Sequence, residues 1–278
     1  MTESPVEPSR TPSIYRRASP WLLAGAAAAF LVVWLWHTPP GLLGKADAIG
    51  YAVCHRIESH SFHIGSRQLP LCARCTGTFL GAVLGVAAMV VMRRRRAGRL
   101  PPRRVLVAMA LFVVVMGIDG VNSYLTFFPG LPHLYPPQNW LRLVTGMFEG
   151  LALGLLVWPI FNQTLWRAWE DRPAVANLRE LGLIAVPAAV LIGLVLTDNV
   201  WVLYPLALLS AGGVLMMLTL LDTTILLIIT RQENRVASWK AAALPLLAGA
   251  TLALAQVAVI DAGRFAVFGT WGGLVLPK

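Results

Sequence analysis

The stretch Cys72–Arg104, CARCTGTFLGAVLGVAAMVVMRRRRAGRLPPRR, decides the fold. A Cys-x-x-Cys pair opens it, and seven arginines crowd its last twelve positions. Between them Thr76–Met92 runs for seventeen residues without a charge. As a helix that run is about 26 Å long, close to the roughly 30 Å of a bilayer's hydrocarbon core. Arginines gather on the cytoplasmic side of membrane helices. The stretch therefore reads as one membrane span with thiols at its outer end and a basic loop at its inner end.

The same pattern recurs on both sides. Apolar runs lie at Trp21–Trp36, Val105–Gly120, Trp140–Phe161, Leu181–Thr197, Trp201–Thr230 and Ala241–Ile260. Of the 278 residues, 57% are hydrophobic and 13% charged, against roughly 25% charged in a soluble domain. The mean hydropathy of +0.67 agrees. The expected fold is all-α, a polytopic transmembrane helix bundle of about seven spans. Six or eight remain open, because little beyond Asp198 and Asn199 divides the fifth run from the sixth.

Residues 1–20, rich in Pro, Ser, Thr and Arg, read as a disordered cytoplasmic tail, and 21–278 as a single membrane domain. The first run is followed by WHTPPGLLG, which lacks a small-residue cleavage site, so it is expected to stay as a span. With the N-terminus cytoplasmic, the inner segments carry sixteen Lys and Arg and the outer segments six. That asymmetry sets the orientation, in a prokaryotic cell membrane. The net charge of +10 would suggest nucleic acid in a soluble protein. Here Arg93–Arg104 has no interleaved aromatic residue for base stacking. The expected partner of that loop is anionic lipid, not nucleic acid.

The outer segment ahead of the second span reads YAVCHRIESHSFHIGSRQLPLCARCTGTFLG from Tyr51. It holds all three cysteines and three of the five histidines. Zinc takes four ligands from such a set, and Cys72-x-x-Cys75 is the usual chelating half. Cys54 and His55 complete a Cys₃His group. His60 and His63 compete, since adjacent residues do not easily hold one ion. Four closed ligands would make the site structural. A thiol–disulfide relay is the alternative, with the thiolate favoured by the helix N-terminus and Arg74. Quinone-linked oxidants of this kind use two cysteine pairs, however, and this chain has three cysteines. A plain Cys72–Cys75 or Cys54–Cys72 disulfide pinning an exposed loop is the remaining alternative, and metal is the favoured reading. Haem attachment is excluded, because no His follows Cys75.

Polar residues also recur at membrane depth, where they are costly. Asp119 and Asn122 sit at the outer end of the third span. Asn139, Arg142, Thr145 and Glu149 share one face of the fourth. Asp119 and Arg142 fall at one depth and are expected to pair, with Glu149 roughly 10 Å deeper. Together with Arg74 these residues form either helix glue or, with Asp222, a path for a small solute or ion. Gln256 and Asp261 read as packing and interfacial residues. Gly77, Gly81 and Gly85 would allow a close helix neighbour. No nucleotide loop, metalloprotease motif or nucleophile elbow is present, so no reaction is read.

Cys54-His55, Ser61-Phe62, PLCARCTG at Pro70–Gly77, Asp119-Gly120, Asn139, Leu141-Arg142-Leu143, Thr145-Gly146 and Gly150 together resemble a prokaryotic membrane family, domain of unknown function 2085. The resemblance covers about residues 50–155. Arg56 departs from it, where the family often has Gln, and the loop around Leu131–Gln138 looks longer than usual. It implies that these residues form one site. It implies no activity or substrate.

Overall fold

The computed structural model describes residues 20–128 and 130–273. The tail expected at 1–20 therefore lies, but for Pro20, outside the described residues. Eight helices account for most of the rest: α1 Pro20–His37, α2 Gly41–Val53, α3 Ala73–Val91, α4 Arg103–Leu125, α5 Asn139–Leu165, α6 Leu178–Leu196, α7 Val200–Ile229 and α8 Trp239–Phe268. The fold is an all-α polytopic bundle. Helices α3 to α8 are each long and apolar enough to cross a membrane, six among the described residues. Large apolar side chains such as Leu111, Val114, Val186 and Val259 face outward, as lipid contact requires.

The first expected span is more complicated. α1 and α2 meet at a bend of 101°, and only together do they pass for a seventh span. Pro39 and Pro40 cause the break, since neither offers an N–H and each disfavours helix before it. Lys45 braces the corner, its Nζ donating to the Thr38 carbonyl and to Thr38 Oγ1 at 2.9 Å each.

At the centre stands α5. Two thirds of its apolar window is buried (67%), against 22% for α4, α6 and α8. α3 lies against it with almost no space between the backbones. A Cβ on Gly81 would sit 2.1 Å from the Met147 carbonyl oxygen, and one on Gly150 would sit 1.8 Å from that of Thr78. Gly77 and Gly85 continue the first row, Gly146 and Gly154 the second. Two glycine rows thus interlock where the sequence analysis found one.

The arginine loop is folded rather than free. β3 (Ala97–Arg99) pairs in parallel with β4 (Glu170–Pro173). Arg94 is buried, donating to both Glu180 carboxylate oxygens at 2.6 and 2.7 Å and to the Ala174 carbonyl at 2.8 Å. Arg96 stacks 4.3 Å above the Trp166 ring. This plate closes the end of the bundle opposite the cysteines, since α3 carries one at each end, about 28 Å apart.

Candidate metal centre

Three short elements bring the cysteines and histidines together. α2 ends at Cys54, whose extended backbone (φ −130°, ψ 143°) stops the helix. Arg56 then turns the chain in the left-handed region at φ 51°. A small hairpin, β1 (His63–Ile64) with β2 (Arg67–Gln68), reverses it. The segment returns to Cys72, the residue preceding α3, and Cys75 lies in the first turn of that helix.

The ligating atoms of Cys54, His55 and Cys72 all lie within 4.8 Å of one another. Cys75, three positions after Cys72, stands outside that group of three. All three cysteines are unbridged thiols. The Cys54 sulfur accepts the Cys72 N–H at 3.3 Å and the Arg56 N–H at 3.4 Å. Donation from the Cys72 thiol, then from Cys75, pulls the Cys54 thiol well below its ordinary range. Cys72 moves the other way, because its proton is held on Cys54.

His55 is half-buried, and its Nε2 has no hydrogen-bond partner. Burial keeps its imidazole neutral, against the pull of the Cys54 thiolate. His55 thus stands with Cys54, although neighbouring residues had seemed poor co-ligands; the sharp turn at Arg56 follows directly. His60 packs edge-on to His55 at 5.6 Å and stacks on Phe127, so it lines the site rather than joining the donors. Burial and then Arg142 push its pKa down to about 4. His63 is on the hairpin, facing Glu58 at 4.0 Å.

The polar residues gather beside this cluster, with one exchange of partners. Asp119 pairs with Arg74, not with Arg142. Arg74 reaches across the α4 surface at Gly120, its Nη1 3.9 Å from where a Cβ would stand there. It also donates to Ser123 Oγ at 3.2 Å. Asp119 further accepts from the Tyr135 hydroxyl at 2.9 Å and from Thr145 Oγ1 at 3.4 Å. Arg142 is instead drawn outward to Asn139 Oδ1 at 2.8 Å. Asn139 in turn donates to the carbonyls of Ser59 and Ser61. Depth could be read from the sequence, but the rotation of each helix could not. Asn122 fastens the long loop between α4 and α5, bonding Leu134 N at 2.7 Å and the Tyr135 carbonyl at 3.0 Å. Glu149 lies apart, deeper and buried, with Oε2 unpartnered.

Two contributors escaped the sequence analysis. Arg264 of α8 lies 4.0 Å above the Tyr51 ring and donates to the Tyr51 and Cys54 carbonyls, the latter at 2.8 Å. It thereby caps α2 at the metal-capable residue. Asp47 holds Arg56 at 2.9 Å and also Arg67, tying the turn to α2. A cavity of about 490 Å³ opens beside the cluster, lined by His55, His60, Arg74, Ser123 and Phe127 among others.

A helical membrane protein with a buried thiol–imidazole cluster at one end is thus the class that fold and site define. The chain belongs to the family described as "Predicted membrane protein (DUF2085)", which matches residues 54–156. An uncharacterised protein of Methanothermobacter thermautotrophicus is 30% identical over 105 residues, 37% of this chain and 83% of the relative. One from Methanocaldococcus jannaschii is 24% identical over 123 residues, 44% of this chain and 72% of the relative. No solved structure matches the chain. The matched segment contains the three cysteines, His55 and the Arg74–Asp119 pair. It leaves out Arg264.

Proposed function

We propose that this protein carries a structural zinc centre on the outer face of a prokaryotic cell membrane, held by Cys54, His55, Cys72 and Cys75. The observation behind it is the convergence of three donors, Cys54, His55 and Cys72, within 4.8 Å of one another, one of them an imidazole whose Nε2 has no partner among the described residues. A tetrahedral zinc with bonds of about 2.0–2.3 Å separates its donors by about 3.3–3.8 Å. Cys54, His55 and Cys72, within 4.8 Å of one another, need to draw together by only about 1 Å to reach such separations. Zinc suits a mixed thiolate and imidazole set, and bound ligands must be unprotonated. A thiolate-prone Cys54 and a neutral His55 meet that demand. The ion would then lock the segment between α2 and α3.

Elemental analysis of detergent-purified protein, with thiol counting under denaturing conditions, tests it. About one zinc per chain, lost in Cys72→Ser, with three free thiols after chelation, supports the centre. No metal and a Cys–Cys bridge would leave the second reading, thiol–disulfide exchange, which the approach of the Cys54 and Cys72 sulfurs to within 4.8 Å favours. Sidedness is tested separately with a membrane-impermeant thiol reagent. Exposed Ser66→Cys should label in intact cells above the wild-type background, and Arg95→Cys should not.

A further inference from the structure

A second cavity, of about 410 Å³, lies between α1 and α8 and is lined by none of the three cysteines nor by His55. Its wall is apolar, formed by residues such as Phe30, Val33, Ala258 and Phe265, with one acid, Asp261. Asp261 is 3% exposed, and neither of its carboxyl oxygens has a well-aligned hydrogen-bond partner among the described residues. The indole N–H of Trp34 stands beside it and closes no hydrogen bond. Arg264, one turn further along α8, is turned away to the carbonyls of Tyr51 and Cys54. His37, also on the cavity wall, directs Nδ1 to the Val33 carbonyl at 2.8 Å.

A buried carboxyl with at most one ill-aligned indole N–H beside its two oxygens is costly, so the cavity calls for a ligand that brings further donors. Depth narrows the class. Asp261 is twenty-two positions from Trp239 at the start of α8, a rise of about 33 Å. With Trp239 at the inner interface, that rise crosses the roughly 30 Å hydrocarbon core and reaches the outer headgroups. The surfaces flanking the cavity are bare, with Trp36 84% and Val267 75% exposed, and so face lipid. We propose that this cavity holds an outer-leaflet lipid with a primary ammonium headgroup. Its N–H groups donate to Asp261, a headgroup oxygen accepts from Trp34, and an acyl chain follows the apolar wall. A quaternary ammonium lacks those donors and is refused. The site does not depend on the zinc reading.

Native mass spectrometry of the delipidated full chain, offered equal phosphatidylethanolamine and phosphatidylcholine, tests it. About tenfold preferential retention of the primary amine lipid is expected, as one or two charge-assisted hydrogen bonds would give. Preference should fall stepwise through the mono- and dimethylated lipids, a series that needs no variant. Asp261→Asn should bring the two lipids level. Ala258→Phe, which fills the cavity and keeps the acid, should lower retention of both. Equal retention by the wild-type chain overturns the proposal, as does a preference that survives Asp261→Asn. Full displacement by soluble phosphoethanolamine would show a free amine as the ligand and overturn it too.

Discussion

Arg74 and Asp119 form an ion pair across forty-five positions of chain, joining the first turn of α3 to the C-terminal end of α4. Asp119 is 1% exposed, and Tyr135 and Thr145 donate to the same carboxylate. The pair anchors the helix turn that carries Cys75. Removing one partner of such a buried pair costs about 3–5 kcal/mol, because it strands the other charge. Asp119→Asn and Arg74→Gln should each destabilise the protein by that order. A double-mutant cycle should show strong coupling between them and weak coupling between Asp119 and Arg142. Thermal unfolding in detergent measures it, and equal coupling to both arginines would contradict the geometry.

The glycine rows predict two opposite outcomes from the same substitution. Gly150→Ala places a methyl where the Thr78 carbonyl oxygen stands, so α3 and α5 must separate. A loss of about 3 kcal/mol or more is expected, at the upper end of overpacking costs. Gly117→Ala on α4 meets nothing within 4 Å. It should be neutral or stabilising by up to ~1 kcal/mol through helix propensity. Melting temperatures of the two variants compared side by side decide this.

At the other end of the molecule, Arg94 and Arg95 are adjacent in a run of four arginines, yet only Arg94 is buried. Arg94→Gln breaks the two-pronged contact with Glu180 and the bond to the Ala174 carbonyl. A loss of about 3 kcal/mol is expected, little affected by added salt because the pair is shielded. Arg95→Gln should change stability by less than about 0.5 kcal/mol. Comparable losses from both would mean that the run acts as bulk charge alone.

Tyr135 gives a pH dependence. Burial, and then its hydrogen bond to Asp119, raises the phenol above its ordinary value near 10. A raised acid contributes stability that is complete below its unfolded pKa and disappears as pH climbs through the folded one. The protein should therefore lose stability on the alkaline side of pH 10. Tyr135→Phe should cost about 1 kcal/mol at neutral pH and flatten that alkaline limb. An alkaline limb unchanged in the variant would assign it to another group.

Much of this architecture was legible because hydropathy and charge act over whole segments. The run of arginines after Met92 and the spacing of glycines at 77, 81 and 85 needed no partner to be read. What escaped depends on which side of a helix meets which neighbour. Asp119 chose Arg74 over Arg142 because of helix rotation, which hydropathy does not encode. Gly146, Gly150 and Gly154 repeat the same interval and could have been found by looking for a matching row. Arg264 could not have been found that way, since nothing local marks it as a cap for a helix two hundred positions earlier. Arg94 was hidden by its own neighbours, identical in type and different in fate.

The Arg264 cap also sets a clock. Cys54 emerges from the ribosome 210 residues before the guanidinium that will hold its carbonyl. At about 5–20 residues per second, that gap is on the order of 10–40 s. In the proposed orientation the thiols and His55 would pass that interval on the outer side while the end of α2 is still uncapped. The proposed ion would then reach its ligands before the last helix arrives to close over them.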